Sequence, residues 1–196
     1  MVVKNTDKNN LAKIVSVFNS GGIVVFPTDT AYGIGCRIDY PGSVDKLFRI
    51  RKRPLSRATP VLVASIPMAL DYFSGPSETV KALMQKFWPG ALTIVAKARA
   101  DKIYSPIRGY GENIGLRVPA YDLIRQAIGL LGVPIIGTSA NIHGSKTPFT
   151  DSDIDPEIRR KADMVIPGSC PLGQESTVVD CSVHPYRILR QGAVRL

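Results

Sequence analysis

Residues 21–30 have the sequence GGIVVFPTDT and indicate the kind of fold that this chain adopts. Gly21 and Gly22 can end the helix predicted over 11–18, because glycine adopts a positive φ at little cost. The following apolar run, 23–26, is short and continuous, which is typical of a strand covered on both faces. The polar segment 27–30 comes directly after that strand, where ligands commonly bind in α/β sheets.

The same alternation of helix and strand continues along the chain. Helices are predicted over 41–51, 77–87, 121–131 and 156–161, and strands over 61–64, 91–96, 114–118, 134–137, 164–166, 176–180 and 186–189. We therefore expect an α/β fold with a twisted mixed sheet flanked by helices. A second polar turn, 138–141, follows the predicted strand 134–137. Segments 27–30 and 138–141 are thus expected to form two walls of one site.

Composition and charge narrow the class of protein. Hydrophobic residues make up 44% and charged residues 21% of the 196 residues, and the formal net charge is +9. The length suits one domain, and the charge attracts anions, whether nucleotide, RNA or DNA. No apolar run reaches the roughly 18 residues of a membrane span. The polar N-terminus and three cysteines without a CxxC pattern favour a cytoplasmic location without a zinc site or disulfide framework.

A basic segment over 49–57 is the main candidate for chemistry. The chain has neither a GxxxxGK[ST] phosphate loop nor a well-placed GxGxxG, and its two histidines do not suggest a Ser-His-Asp triad. A guanidinium can hold two phosphate oxygens and keeps its charge, so Arg51, Arg53 and Arg57 fit a phosphate site. A solvated basic end of a helix fits the same residues. Composition leaves both interpretations open.

Seven short motifs occur in a fixed order along the chain. They are PTDTAYG at 27–33, RKRP at 51–54, FWPGALT at 87–93, IGLRVP at 114–119, TSAN at 138–141, ESTVVD at 175–180 and ILRQG at 188–192. Together they resemble the YrdC-like family of L-threonylcarbamoyladenylate synthases, in its single-domain form. The resemblance covers about 22–194. It implies one YrdC-like domain over 1–196, without the additional C-terminal domain of longer members, and a deep basic cavity within the α/β fold.

The resemblance also implies an activity. Family members are nucleotidyltransferases that combine L-threonine, bicarbonate or CO2, and ATP into threonylcarbamoyl-AMP and pyrophosphate. A separate transferase complex then passes the threonylcarbamoyl group to adenosine 37 of tRNA, giving N6-threonylcarbamoyladenosine. Mg2+ is expected to be held mainly by the ATP phosphates, with no dedicated metal site in the protein.

Site residues follow from the same resemblance. The L-threonine site is expected to comprise Thr30, Tyr32, Arg117, Thr138 and Ser176. The ATP site is expected to comprise Arg51, Arg53, Arg57, Ser139, Ala140, Asn141, Thr147 and Arg190, with Arg51 and Arg53 as the catalytic pair. Arg51 stands where the family has lysine, unless Lys52 has taken that role. His143 stands where serine is usual, and Asp29 is expected to cap a turn.

Two other functions are alternatives to this one. A non-catalytic RNA-binding module would use the basic cavity without turnover, but the chain lacks the spaced aromatic residues of stacking platforms. A carbamoyl-transfer domain of hydrogenase maturation would belong to a much larger chain with paired cysteines. Threonine-dependent release of pyrophosphate distinguishes the synthase from both.

Overall fold

The computed structural model describes residues 8–196. Six α-helices form in this part of the chain: α1 Lys8–Asn19, α2 Pro41–Ile50, α3 Ile66–Leu70, α4 Glu78–Phe87, α5 Asp122–Leu131 and α6 Pro156–Lys161. Their ends follow from local chemistry. Gly21 has φ +77° just after α1, Ser77 accepts a hydrogen bond from the Val80 amide at the start of α4, and Gly132 has φ +67° after α5.

Ten strands alternate with the helices. They are β1 Val24–Phe26, β2 Gly33–Gly35, β3 Val61–Leu62, β4 Leu92–Lys97, β5 Asn113–Arg117, β6 Ile135–Ile136, β7 Thr138–Ser139, β8 Met164–Val165, β9 Thr177–Asp180 and β10 Arg187–Arg190. They form two mixed sheets with the orders β7-β2-β1-β8 and β10-β9-β4-β5-β3-β6. The predicted mixed α/β class is confirmed. The strands divide between two sheets, and the deep basic cavity stays a prediction at the level of the fold.

The two sheets meet at Gly137. This residue separates β6 of the six-stranded sheet from β7 of the four-stranded sheet, and its amide donates to Pro60 O at 3.0 Å. A side chain at 137 would collide with the Leu62 side chain, so glycine is required for the close approach. The Ile136 amide also donates to Cys36 O at 2.9 Å, just beyond β2. The chain therefore passes from one sheet to the other within three residues.

Two apolar clusters fix the helices on the sheets. One lies between α1 and α5, where Ile14 and Phe18 pack with Ile124 and Ile128 against the strands. The larger cluster contains Phe48 from α2 and residues of both sheets. All three cysteines are free, and Cys36 and Cys170 are buried. No helix among the described residues is long and apolar enough to cross a membrane.

Two local predictions differ from the structure near the sheet junction. The expected polar turn over 138–141 is a turn only in its second half, because Thr138 and Ser139 extend as β7 and pair with Ile34 and Gly33. β2 itself was not predicted, since Gly-Ile-Gly carries no apolar alternation. The edge of β2 offers free backbone groups, and pairing with β7 satisfies them.

Candidate functional site

A cavity of about 380 Å³ opens beside the junction of the sheets. Its wall is largely polar, with four arginines and one carboxylate. The lining residues are Thr28, Thr30, Ala31, Tyr32, Gly33, Arg51, Arg53, Pro60, Leu62, Thr93, Arg117, Gly137, Thr138, Ser139, Asn141, His143, Gly144, Ser145, Thr147, Glu175, Ser176 and Arg190. Residues of both 27–30 and 138–141 line this cavity, and the β2–β7 pairing brings the chain just after 27–30 beside Thr138 and Ser139.

Segment 27–31 is held by the hydroxyl of Thr28. Thr28 Oγ1 accepts from the amides of Thr30 and Ala31, both at 3.2 Å, and donates to Ala31 O at 2.7 Å. Such a hydroxyl turn fixes the backbone beyond β1 without regular structure. Thr30 Oγ1 then lies on the cavity wall beside Arg117. The polar sequence after the strand is thus a rigid support for the site.

Arg117 lies at the end of β5 and is 6% exposed. Three of its guanidinium N–H groups donate to other residues of the protein. Its Nη2 donates to Asp29 Oδ1 at 2.5 Å, its Nη1 to Thr30 Oγ1 at 2.7 Å and its Nε to Gly90 O at 2.9 Å. Burial lowers the pKa of Arg117, and the charge of Asp29 opposes that shift. Two of the five guanidinium N–H groups are left for a ligand. Asp29 is therefore the ion-pair partner of this arginine, and the expected turn-capping role is wrong.

Arg51, just after α2, is 2% exposed and also lines the cavity. Its Nε donates to Asn141 O at 2.9 Å, Nη1 to Thr138 Oγ1 at 2.5 Å, and Nη2 to Asn141 Oδ1 at 2.8 Å. No carboxylate among residues 8–196 lies within 4 Å of this guanidinium. Burial, and then the charge of Arg53, lowers its pKa to about 10. A buried positive charge surrounded only by neutral acceptors favours an anion nearby.

Lys52 does not take the role that the sequence left open for it. Its backbone has φ +52°, and its Nζ pairs with Glu157 Oε2 at 3.1 Å on the surface. This left-handed residue ends the helix and turns the side chain away from the cavity lining. Arg51 is therefore the residue that faces the cavity from this segment, together with Arg53.

Arg53 is half-buried and contributes a second charge without a carboxylate partner in the described chain. Its Nε donates to Arg57 O at 3.1 Å, its Nη2 donates to Ala58 O, and its Nη1 lies 3.3 Å from His143 Nδ1. Burial, and then the charge of Arg57, lowers the pKa of Arg53. The Arg57 side chain is exposed and outside the lining, so it acts on the cavity only through its charge.

Glu175 joins two segments around the cavity. Its Oε1 accepts from Thr147 Oγ1 at 3.0 Å and from Arg190 Nη1 at 2.8 Å. Arg190 also donates to Ser176 O and Ser176 Oγ, both at 3.0 Å, and Ser176 Oγ lies 3.0 Å from Thr93 Oγ1. Strand β10 is thereby tied to the start of β9 and to the loop after β7. Glu175 was not selected from the sequence, although it opens the ESTVVD motif.

Tyr32 contributes a neutral hydroxyl to the cavity wall. Its OH donates to Gly168 O at 2.8 Å, and the side chain is buried. Burial, followed by the charge of Asp151, raises its pKa to about 12. Tyr32 O accepts from the Ala140 amide at 2.9 Å. That amide is therefore unable to donate to an anion, and Ala140 is buried behind the lining.

The structure brings most of the residues predicted from the sequence into this one cavity. Thr30, Tyr32, Arg51, Arg53, Arg117, Thr138, Ser139, Asn141, Thr147, Ser176 and Arg190 line it. Arg57 and Ala140 do not. Ser139 Oγ donates to Asn141 Oδ1 at 2.8 Å, so the polar segment is organised around Arg51. His143 and Glu175 join the lining without having been predicted as ligands.

The described residues contain no group of three His, Cys, Asp or Glu side chains that could hold a metal ion. Glu175 is the one carboxylate in the lining, and it is already bonded to Arg190 and Thr147. A hard cation such as Mg2+ prefers several oxygen ligands. The described lining thus offers no set of oxygen ligands for a cation held by the protein alone, and the expectation that ATP phosphates hold Mg2+ stays a prediction.

Comparison with known proteins identifies relatives of this chain. A family model described as Sua5_yciO_yrdC, Telomere recombination, matches residues 16–192. The chain is 29% identical over 191 residues to a threonylcarbamoyl-AMP synthase of Bacillus subtilis, covering 97% of this chain and 55% of that protein. It is 31% identical over 176 residues to a putative threonylcarbamoyl-AMP synthase of Methanocaldococcus jannaschii, covering 89% of this chain and 82% of the relative.

A solved structure shows the same fold. The crystal structure of P. abyssi Sua5 complexed with L-threonine matches with a TM-score of 0.91 and 27% identity, over 97% of this chain and 56% of that one. The chain thus spans about half the length of several of the relatives that it matches. The family model covers most of the sequence. The chain therefore belongs to the Sua5/YciO/YrdC family.

Proposed function

We propose that this protein is a nucleotidyltransferase that makes threonylcarbamoyl-AMP and pyrophosphate from L-threonine, bicarbonate or CO2, and ATP. The observation that carries the proposal is that two buried arginines in one cavity differ in their hydrogen-bond and ion-pair partners. Arg117 has the carboxylate of Asp29 beside it, whereas Arg51 has only neutral acceptors. The names of the relatives and the threonine complex of P. abyssi Sua5 support the choice of substrates.

The polyphosphate of ATP is assigned to the side of Arg51 and Arg53. These guanidinium groups lie close together: after burial, the charge of Arg53 lowers the pKa of Arg51, and the charge of Arg57 lowers the pKa of Arg53. An anion between them would relieve that repulsion and replace lost hydration. The side chains of Ser139, Asn141 and Thr147 line the same cavity and are assigned to the phosphate or ribose of ATP. Arg190 adds a fourth cation from β10.

The L-threonine carboxylate is assigned to Arg117. Three of its N–H groups hold Asp29, Thr30 and Gly90, so the guanidinium has one fixed orientation and two N–H groups to offer. The hydroxyls of Thr30 and Ser176 lie on the same wall. Such a pre-positioned donor costs little ordering entropy when substrate binds. Tyr32 and Thr138 complete the wall around the amino acid.

The reaction requires two anions to meet. The neutral amine of threonine adds to the carbon of CO2 and loses a proton to water, and the carbamate oxygen then attacks the α-phosphorus as the bond to pyrophosphate breaks. Arginines on both sides lower the repulsion between carbamate and triphosphate and hold the reacting atoms in place. Mg2+, bound to the phosphates of ATP, would neutralise charge on the leaving pyrophosphate. No side chain of the lining is required as a general base.

We place the protein in the cytoplasm, with its product passed to a transferase complex that modifies adenosine 37 of tRNA. The threonylcarbamoyl adenylate is a mixed anhydride, so a nearby acceptor is needed to use it before water does. A non-catalytic RNA-binding role is less well supported, because several relatives are named as synthases.

The test is an assay for pyrophosphate in the presence of protein, Mg2+, ATP, bicarbonate and L-threonine. Omitting threonine should abolish release, and mass spectrometry should detect threonylcarbamoyl-AMP. Pyrophosphate release that does not need threonine would reject the proposed reaction.

Two variants separate the two halves of the site. Arg53→Ala should reduce turnover by at least about 100-fold, the usual cost of one transition-state donor, whereas Arg49→Ala, on the exposed face of α2, should not. Arg117→Lys keeps a charge beside Asp29 but loses the planar fork, so it should mainly raise the threonine KM. Normal turnover by Arg53→Ala, or an unchanged threonine KM in Arg117→Lys, would remove that residue from its assigned role.

A further inference from the structure

His143 combines an exposed position with a place in the cavity lining. It follows the polar segment 138–141, and its backbone amide donates to Arg51 O at 2.8 Å. This bond fixes the loop to the residue that carries the unpaired buried charge. The imidazole is therefore held next to the proposed polyphosphate site by the backbone as well as by its own side chain.

The contact between His143 and Arg53 sets the state of the imidazole. Nδ1 lies 3.3 Å from Arg53 Nη1. Because a guanidinium only donates hydrogen bonds, Nδ1 must be the acceptor and must carry no proton. The neutral ring then carries its proton on Nε2. In this state one N–H of Arg53 is directed to His143 and is withheld from a ligand.

The charges that act on His143 are all positive. Loss of hydration is the largest cause that lowers its pKa, followed by the charges of Arg53, Arg51 and Arg57, all from the segment that follows α2. No carboxylate among residues 8–196 lies within 4 Å of the ring nitrogens. The ring is thus kept neutral by its surroundings, and an anion bound among these arginines would reverse the sign of the local field.

We propose that His143 takes up a proton when polyphosphate binds at Arg51 and Arg53, and that it then acts as a further cationic donor to the phosphates. Protonation of Nδ1 removes the acceptor for Arg53 Nη1, so this N–H is released to the ligand in the same step. The proton comes from a solvent or buffer acid and forms an N–H bond at Nδ1, and no other covalent bond changes. The identification of the anion as the triphosphate of ATP rests on the proposed function, while the coupling itself requires only a polyphosphate.

The sign of the coupling follows from linkage. The complex binds one more proton than the free protein in the range between the two His143 pKa values, so affinity rises as pH falls through that range. Above it the ring is neutral in both states, and the effect vanishes. Each unit by which the anion raises the His143 pKa corresponds to a tenfold gain in affinity at the acidic end.

The experiment measures the dissociation constant of inorganic tripolyphosphate by isothermal titration calorimetry from pH 8.5 to 6.0 at fixed ionic strength. The wild-type protein is compared with His143→Gln. The Gln side-chain oxygen can still accept from Arg53, but the amide does not titrate. The phosphate groups of the probe titrate identically with both proteins, so the ratio of the two dissociation constants isolates His143. Titration in buffers of different ionisation enthalpy counts the protons taken up.

The ratio of the His143→Gln to the wild-type dissociation constant should rise by about three- to tenfold as pH falls from 8.5 to 6.0. The wild type should also take up more protons than the variant on binding. A ratio that stays constant across this range would overturn the proposal, even if threonine-dependent pyrophosphate release is observed. A changing ratio without that release would instead leave the coupling intact and reject the synthase activity.

Discussion

Two buried arginines in one cavity should differ sharply in what their removal costs. Arg117 and Arg51 are 6% and 2% exposed, but only Arg117 has a carboxylate partner. Replacing Arg117 by Met leaves Asp29, itself 5% exposed, as a buried charge, and its Oδ2 already has no hydrogen-bond partner. Truncating one partner of a buried ion pair costs about 3–5 kcal/mol. For a chain of this size, this corresponds to a fall in Tm of about 6–20 °C.

Arg51→Met should be much milder because two effects oppose one another. Thr138 Oγ1 and Asn141 O lose their guanidinium partner, at about 1–3 kcal/mol each. Removing the guanidinium also removes a buried charge whose pKa is lowered from 12.5 to about 10, which corresponds to about 3 kcal/mol of unfavourable burial. The net loss in the free energy of unfolding should therefore not exceed about 3 kcal/mol, the low end of the loss for Arg117→Met.

Urea denaturation followed by circular dichroism measures both variants, with Arg49→Met as the control on the exposed face of α2. A double-mutant cycle adds Asp29→Asn to Arg117→Met, which should recover part of the lost stability because the buried charge is gone. If Arg51→Met were as destabilising as Arg117→Met, the conclusion that no carboxylate in the described chain compensates the charge of Arg51 would be wrong.

Two further predictions concern the glycines at 35 in β2 and 42 in α2, and the buried hydroxyl of Tyr32. Gly35→Ala should destabilise the fold by about 3 kcal/mol, because a Cβ there would collide with Ile136 O. Gly42→Ala should instead stabilise α2 by about 0.5–1 kcal/mol, because a Cβ there would have nothing within 4 Å. Chemical denaturation of the two variants shows whether each change in the free energy of unfolding has the expected sign. Burial raises the pKa of Tyr32 to about 12, so as pH rises this tyrosine ionises first in the unfolded chain, and stability should fall above about pH 10. Tyr32→Phe should lose this part of the alkaline decline in stability. An unaltered decline in the variant would contradict the raised pKa.

The sequence predicts most of the regular elements because their signals are local. The helical spacing of α5, the serine cap of α4 and the short apolar runs of β1 and β6 each depend on a few neighbouring residues. β2 and β7 lack such signals, and they form because each satisfies the other's backbone at the junction of the sheets. Pairing between segments about 100 residues apart cannot be inferred from the composition of either segment.

In the site, too, the sequence indicates which residue types belong together but not which residue each one contacts. The motifs indicate that Arg51, Arg53 and Arg117 belong to one site, since arginine is suited to phosphate and carboxylate. They do not indicate that Asp29 compensates one arginine, or that Lys52 turns outward to Glu157. Both outcomes depend on backbone direction: a left-handed residue at 52, and a hydroxyl turn around Thr28.

The contrast between the arginines also bears on how the cavity would discriminate between the two anions of the proposed reaction. A guanidinium already paired with a carboxylate presents little net charge, so Arg117 selects by shape, through two N–H groups in a fixed plane. Arg51 and Arg53 have no such partner in the described chain and select by charge, which favours the more highly charged ligand. A triphosphate is therefore drawn to 51–53 and away from Arg117, while a single carboxylate gains most from the fork of Arg117. In the proposed reaction, this separation would keep each anion on its own side of the cavity until the two react.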